Sequence, residues 1–111
     1  MKEIKAIIQP FLLDKVLDAL HELENLPGCT VSEVRGYGRG PAPGEPSEER
    51  AYESAERIKL EIIVPDRMVG KVVETIRKSA HTGNKGDGKI FVIETVDAVA
   101  IRTNKRGEEA L

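Results

Sequence analysis

The stretch "RIKLEIIVPDRMVGKVVETIRKSA", Arg57–Ala80, places two periodicities side by side. Ile58, Leu60 and Ile62 recur at every second residue, the spacing of a strand with one buried face. Beyond Pro65 the period changes. Val69, Val72, Val73, Ile76 and Ala80 fall three and four residues apart, along one stripe of a helix. Asp66 stands where an N-cap would open that helix. The unit therefore reads as a strand followed by a helix.

The chain begins with the same order. "KEIKAII" (2–8) alternates as a half-buried strand, and Pro10 ends it. Leu13, Val16, Leu17, Leu20 and Leu23 then mark one helical face until "LPGC" (26–29) breaks it. Each helix leads into another strand. "CTVSEVRGYG" (29–38) carries Val31 and Val34 and closes on Gly36 and Gly38, and "KIFVIE" (89–94) reads as a short buried strand. "VDAVAIR" (96–102) reads as one more strand, before a polar tail.

Two strand–helix–strand units in tandem predict an α+β fold. The expected form is a ferredoxin-like βαββαβ sandwich, an antiparallel sheet with both helices on one face, and an extra C-terminal strand. Two helices cover one face only. The uncovered face predicts self-association.

Between the halves, "RGPAPGEPSEERAYESAE" (39–56) has three prolines, two glycines and five glutamates, with almost nothing to bury. A long excursion of this composition inside a small domain is expected to be functional or disordered. The 111 residues, excursion included, are expected to form one domain, 1–111, with a core of ordinary size. Seventeen basic and nineteen acidic residues give a net charge of −2, which argues against a general nucleic-acid binder. The apolar runs are too short to cross a bilayer, and residues 1–9 lack a signal-peptide core. The single cysteine, Cys29, forms no internal disulfide. A cytoplasmic protein is expected.

"TGNKGDGKIF" (82–91) holds three glycines, two lysines and one aspartate between the second helix and the strand after it. "GNKGDGK" fits seven positions of the phosphate-loop pattern, but Ile90 replaces the magnesium-binding hydroxyl. That motif also runs from strand to helix, the reverse of the order here, so a P-loop is rejected. Two readings remain from the loop alone. It is a solvated turn that uses glycine for tight geometry, or its backbone N–H groups converge on an anion with Lys85 and Lys89 alongside. His21, His81 and Cys29 form no metal-ligand cluster, and no Ser-His-Asp or Cys-His set can be assembled. Asp14, Asp18 and Glu22 read as a solvated helix face.

"TGNKGDGKIFV" with "IRTNKRGEEAL", together with "MKEIKAIIQPFLLDKVLDAL", "VSEVRGYGR" (32–39) and "KLEIIVPD" (59–66), resembles the nitrogen regulatory PII proteins. Four blocks in the right order cover nearly everything outside 40–56. The resemblance implies a homotrimer of ferredoxin-like subunits, with ATP or ADP as effector in clefts between neighbours and no prosthetic group. It also implies a long T-loop, about 39–57 here, that contacts a target enzyme or membrane transporter. Gly86, Asp87, Gly88, Lys89 and Arg102 would hold the phosphates. Ile7, Thr30, Gly36, Tyr37, Gly38 and Ile63 would line the nucleoside pocket, with Arg39 at the T-loop base. The resemblance implies a regulator and not an enzyme.

The chain departs from the pattern at several places. Gly40 stands where better-known members carry a glutamine that helps hold magnesium and 2-oxoglutarate. Gln9 replaces a basic residue, Arg57 a lysine, and Ala100 a phosphate-facing arginine. Nucleotide binding is expected to persist, with ATP or ADP as the effector and AMP a further candidate the sequence does not rank against them, and magnesium binding to weaken. Sensing of 2-oxoglutarate is expected to be lost. Tyr52 is only an ambiguous match to a tyrosine that is uridylylated in some members. The alternatives are a small ATPase or nucleotide-dependent transferase using the same cleft, or a PII-like protein linked to metal or bicarbonate transport.

Overall fold

A computed structural model describes residues 1–39 and 52–111. Four strands and two helices follow in the expected order. They are β1 (Lys2–Ile8), α1 (Leu13–His21), β2 (Cys29–Arg39), β3 (Tyr52–Val64), α2 (Val69–Ala80) and β4 (Lys89–Glu94). The sheet order is β2-β3-β1-β4, and every pairing is antiparallel. The central strands β1 and β3 run in register from Lys2↔Val64 to Ile8↔Ile58.

Alternation decides which face is buried. Ile4, Ala6 and Ile8 of β1 and Ile58, Leu60, Ile62 and Val64 of β3 point to the helices. Val16 and Leu20 of α1 and Val72, Ile76 and Ala80 of α2 close the core against them. Each fully buried aliphatic side chain contributes roughly 1.5–3 kcal/mol, so this interlocked set holds the chain together. Ser79, the one buried polar side chain among the described residues, donates to the Thr75 carbonyl at 2.6 Å.

Four expectations are corrected. Strand β4 is not buried. It forms a sheet edge, with Phe91 47%, Val92 47% and Ile93 41% exposed, because nothing in the single chain covers that edge. Residues 96–102 do not form a strand; Val99 makes one isolated antiparallel bridge with Arg106, and the chain turns back between them. Asp66 is not an N-cap. It opens a 3-10 turn (Asp66–Met68) ahead of α2, and its carboxylate pairs with the Met1 ammonium at 3.0 Å and with Lys2 at 3.1 Å.

Fourthly, the excursion is shorter than composition suggests. Strand β3 starts at Tyr52, and the ladder with β2 continues past the end of β1 to Arg39↔Tyr52. Backbone pairing makes this ribbon regular although its residues have little to bury. The remainder of the expected T-loop, with Gly40, lies outside the described residues, as do the roles expected of the Arg39 and Tyr52 side chains.

Truncating the core at its centre tests the packing. Leu60→Ala should lower the unfolding free energy by about 2–5 kcal/mol in a urea titration. A loss under about 1 kcal/mol would contradict the burial of β3.

Candidate functional site

The face of the sheet away from the helices carries the odd-numbered residues of β1, β3 and β4 and the even-numbered residues of β2. At one corner of that face, residues Thr82–Gly88 turn from α2 into β4. Three features fix the turn. The Asp87 carboxylate accepts hydrogen bonds from the backbone N–H groups of Thr82 and Gly83, both at 2.9 Å, and from the Thr82 hydroxyl. The Thr82 oxygen in turn accepts from the Asn84 N–H at 3.1 Å.

Gly88 presses on the backbone of β1. A Cβ there would lie 1.7 Å from the Ile7 carbonyl oxygen, and the residue has φ +102°, so glycine is obligatory on both counts. Gly86, at φ +92°, is the third point. Its carbonyl accepts from Gln9 Nε2 at 2.8 Å, and a Cβ would come within 3.1 Å of that nitrogen and 3.2 Å of Arg57 Nη2.

Hydrogen bonding holds the Asp87 carboxyl below its ordinary range. The Thr82 hydroxyl is the largest cause, followed by the Thr82 and Gly83 N–H groups, with a smaller contribution from the charge on His81. The Asp87 carboxylate thus organises its own loop. The N–H groups of Gly86 and Asp87 make no hydrogen bond among the described residues. The same holds for the side chains of Lys89 and Arg102. Arg57 donates through Nη1 to the Glu56 carbonyl at 2.8 Å, which leaves the guanidinium beside Gly86. The corner combines open backbone donors with cations, the chemistry of an anion-accepting cradle.

The residues expected from the sequence fall into three groups. Ile7, Gly86, Asp87, Gly88 and Lys89 meet at this corner, where Ile7 and Lys89 are register partners. Gly36 adjoins it through Arg57, whose Cγ would lie 3.8 Å from a Cβ at Gly36, and Tyr37 and Gly38 continue along the ribbon. Thr30 and Ile63 lie toward the opposite end of the sheet, where Ile63 pairs with Glu3. They line a separate hollow with Gly28, Glu61 and the last residues of the chain. Ile63 is four residues along β3 from Lys59, the partner of Ile7, or roughly 13 Å at strand rise.

Arg102 sits at the tip of a turn closed by Gly107 N–H to Ala98 C=O at 2.9 Å and Ala100 N–H to Lys105 C=O at 2.9 Å. One copy of the chain does not gather the whole set into one pocket. The sequence reading missed Gln9 and Arg57 as site residues. Gln9 follows the end of β1, and Arg57 lies within β3 one residue past the last β1 pairing at Ile8↔Ile58, a relation visible only once β1 is placed between β3 and β4.

Among the described residues no three His, Cys, Asp or Glu side chains are grouped to hold a metal ion. No described helix is long and apolar enough to cross a membrane. Burial pushes the half-buried Cys29 thiol up, which keeps it from acting as a ready thiolate.

Fold and corner together define a small α+β domain with a pinned, glycine-rich, cation-flanked loop. A family model described as "Nitrogen regulatory protein P-II" matches residues 1–105. The chain is 42% identical over 118 aligned residues to the nitrogen regulatory protein P-II of Rhodospirillum rubrum, with all of both chains covered. It has the same identity and coverage to nitrogen regulatory protein P-II 1 of Escherichia coli. Among solved structures it is similar to Arabidopsis thaliana PII bound to citrate, with a TM-score of 0.81 and 36% identity, covering 99% of this chain and 91% of that one. The chain belongs to the nitrogen regulatory PII family and is a signal-transduction regulator of that family.

The Asp87 contribution has a defined sign. Its folded pKa is lowered, so the stabilisation is complete above the unfolded value of about 3.9 and is lost as pH falls through the lower folded value. Asp87→Asn should flatten the acid limb of a stability–pH profile below about pH 4. An unchanged limb would show that the carboxylate does not pin the loop.

Proposed function

We propose that this chain is a nucleotide-responsive regulator that associates as a homotrimer, takes ATP or ADP in the cleft between neighbours, and signals to a target protein through residues 39–57. The observation that carries the reading is the corner at Gly86–Lys89. Its loop is pinned by Asp87, Gln9 and the Ile7 carbonyl, while the Gly86 and Asp87 N–H groups and the Lys89 ammonium have no partner within the described chain. Backbone donors held in place beside a cation are organised to receive an anion.

Association is supported by the sheet face the chain leaves open. Phe91 and Ile93 stand exposed on the uncovered side of the sheet, and Val96, Val99 and Ile101 follow at 95%, 46% and 101% exposure. Large apolar side chains left this exposed favour a protein contact. Association would also bring Arg102, Thr30 and Ile63 of one copy toward the loop of another, a juxtaposition one copy does not make. The citrate held by the Arabidopsis relative supports anion recognition within this fold.

Nucleotide acts here as effector. It shifts the target-binding segment between arrangements in proportion to its different contacts with each. On the family resemblance, the proposed target is an enzyme or a membrane transporter, met from the cytoplasm. Gly40 has no side chain to anchor magnesium or 2-oxoglutarate, so the regulator reads adenine nucleotide without that co-ligand.

Calorimetric titration of the purified protein with ATP, ADP and AMP, with and without 2-oxoglutarate, tests both parts. ATP or ADP should bind, Lys89→Ala should weaken binding about ten-fold or more through loss of a charged hydrogen bond, and 2-oxoglutarate should change nothing. No heat with any nucleotide would overturn the reading. Tight ATP-dependent binding of 2-oxoglutarate would overturn its second half.

A further inference from the structure

We infer that Gln9 is a positioning residue for the anion site, a lock that turns the Gly86–Asp87 peptide so that its N–H faces the ligand. The inference rests on the nucleotide reading above for its binding consequence, but the lock itself is a property of the free protein.

The platform for Gln9 is rigid. It follows the last residue of β1, and Pro10 behind it restricts its backbone to the extended conformation, observed at φ −69° and ψ 135°. The Gln9 carbonyl accepts from the Leu12 N–H at 3.1 Å, which ties it to the 3-10 turn Pro10–Leu12. From this fixed backbone the carboxamide reaches 77 positions along the chain to the Gly86 carbonyl at 2.8 Å. That partner is only an acceptor, so the nitrogen of the amide must face it.

The consequence is geometric. None of the described peptide bonds is cis, and in a trans peptide the C=O and N–H point in opposite directions. Holding the Gly86 oxygen against Gln9 therefore directs the Asp87 N–H away from β1. That N–H has no partner among the described residues. Gly86 is open to this control because, at φ +92° and without a side chain, its flanking peptides could otherwise swing readily. The other two pins do not set this peptide. Asp87 Oδ2 holds Thr82 and Gly83 at the far side of the loop, and Gly88 fixes where the loop meets Ile7.

The chemistry requires a donor at position 9, and its identity matters less than its ability to donate. Gln9→Ala removes the donor. Gln9→Glu replaces it with a carboxylate that repels both the carbonyl and an incoming phosphate. Gln9→Lys restores a donor of similar reach and adds charge.

Two readouts on the same three variants test the lock. In nucleotide-free protein, the 15N order parameters of Gly86 and Asp87 should fall from the rigid value near 0.85 toward 0.6 in Gln9→Ala and Gln9→Glu, and recover in Gln9→Lys. By calorimetry, ATP should bind about five-fold more weakly to Gln9→Ala, more weakly still to Gln9→Glu, and within about two-fold of the unsubstituted chain to Gln9→Lys. A rigid loop in Gln9→Ala, or a Gln9→Lys variant as impaired as Gln9→Ala, would overturn the inference. If the order parameters follow the pattern but the unsubstituted chain binds no nucleotide, the lock stands and the nucleotide reading falls. If nucleotide binds equally to all variants, the reading stands and the lock's role in binding is overturned.

Discussion

Much of this molecule depends on one contact, the seating of Gly88 on the carbonyl of Ile7. With no room for a Cβ at 1.7 Å, the chain leaving α2 is brought down onto β1 at a defined height, and β4 starts in register one residue later with Lys89 opposite Ile7. The same contact places the loop before it. Asp87 can then fold its carboxylate back onto Thr82 and Gly83, and Gly86 falls under Gln9 and Arg57. Fold and site are therefore not separable at this corner. Any substitution that lifts the loop also shifts the edge strand.

The second organising fact is that the sheet is covered once. The helices protect the even-numbered residues of β1 and β3, and the opposite face keeps a mixture of half-buried charges and apolar side chains. Lys59 and Glu61 lie 3.3 Å apart there, and Lys5 and Glu3 3.9 Å apart. These pairs are at most about one-third exposed and satisfied along their own strands, a compromise between a wet surface and an interface. The apolar side chains that follow, Phe91 and Ile93 and then Val96 and Ile101, tilt the balance toward contact with another copy. In the proposed assembly, a ligand site divided between copies would join association to binding, the physical basis on which a small chain can act as a sensor.

The fold was legible because two periods do not resemble each other. Ile58, Leu60 and Ile62 could not serve a helix, and Val69, Val72 and Ile76 could not serve a strand. What sequence misread was mostly context. "KIFVIE" looks like a buried strand because its composition is apolar, but composition does not say whether the cover comes from the same chain. Tyr52–Glu56 looks like loop because nothing there needs burying, yet the backbone ladder with Arg35–Arg39 continues regardless. Asp66 has the chemistry of a cap, and the Met1 and Lys2 ammonium groups claim it first. At the candidate site the glycines and Lys89 were visible as a pattern, and the family resemblance added the residues that lie apart in one copy. Gln9 and Arg57 were legible only as departures from that pattern, because their closeness to Gly86 is a product of strand order.

If the bend at 86–89 is arranged for an anion before any arrives, its own amides will report the ligand. Backbone amide shifts recorded during an ATP titration test that arrangement most directly. Saturable shifts are expected at Gly86, Asp87 and Lys89, with Thr82 and Gly83 little changed because their N–H groups are already committed to the Asp87 carboxylate. Saturable shifts confined to other parts of the chain, with those three amides unmoved, would contradict it.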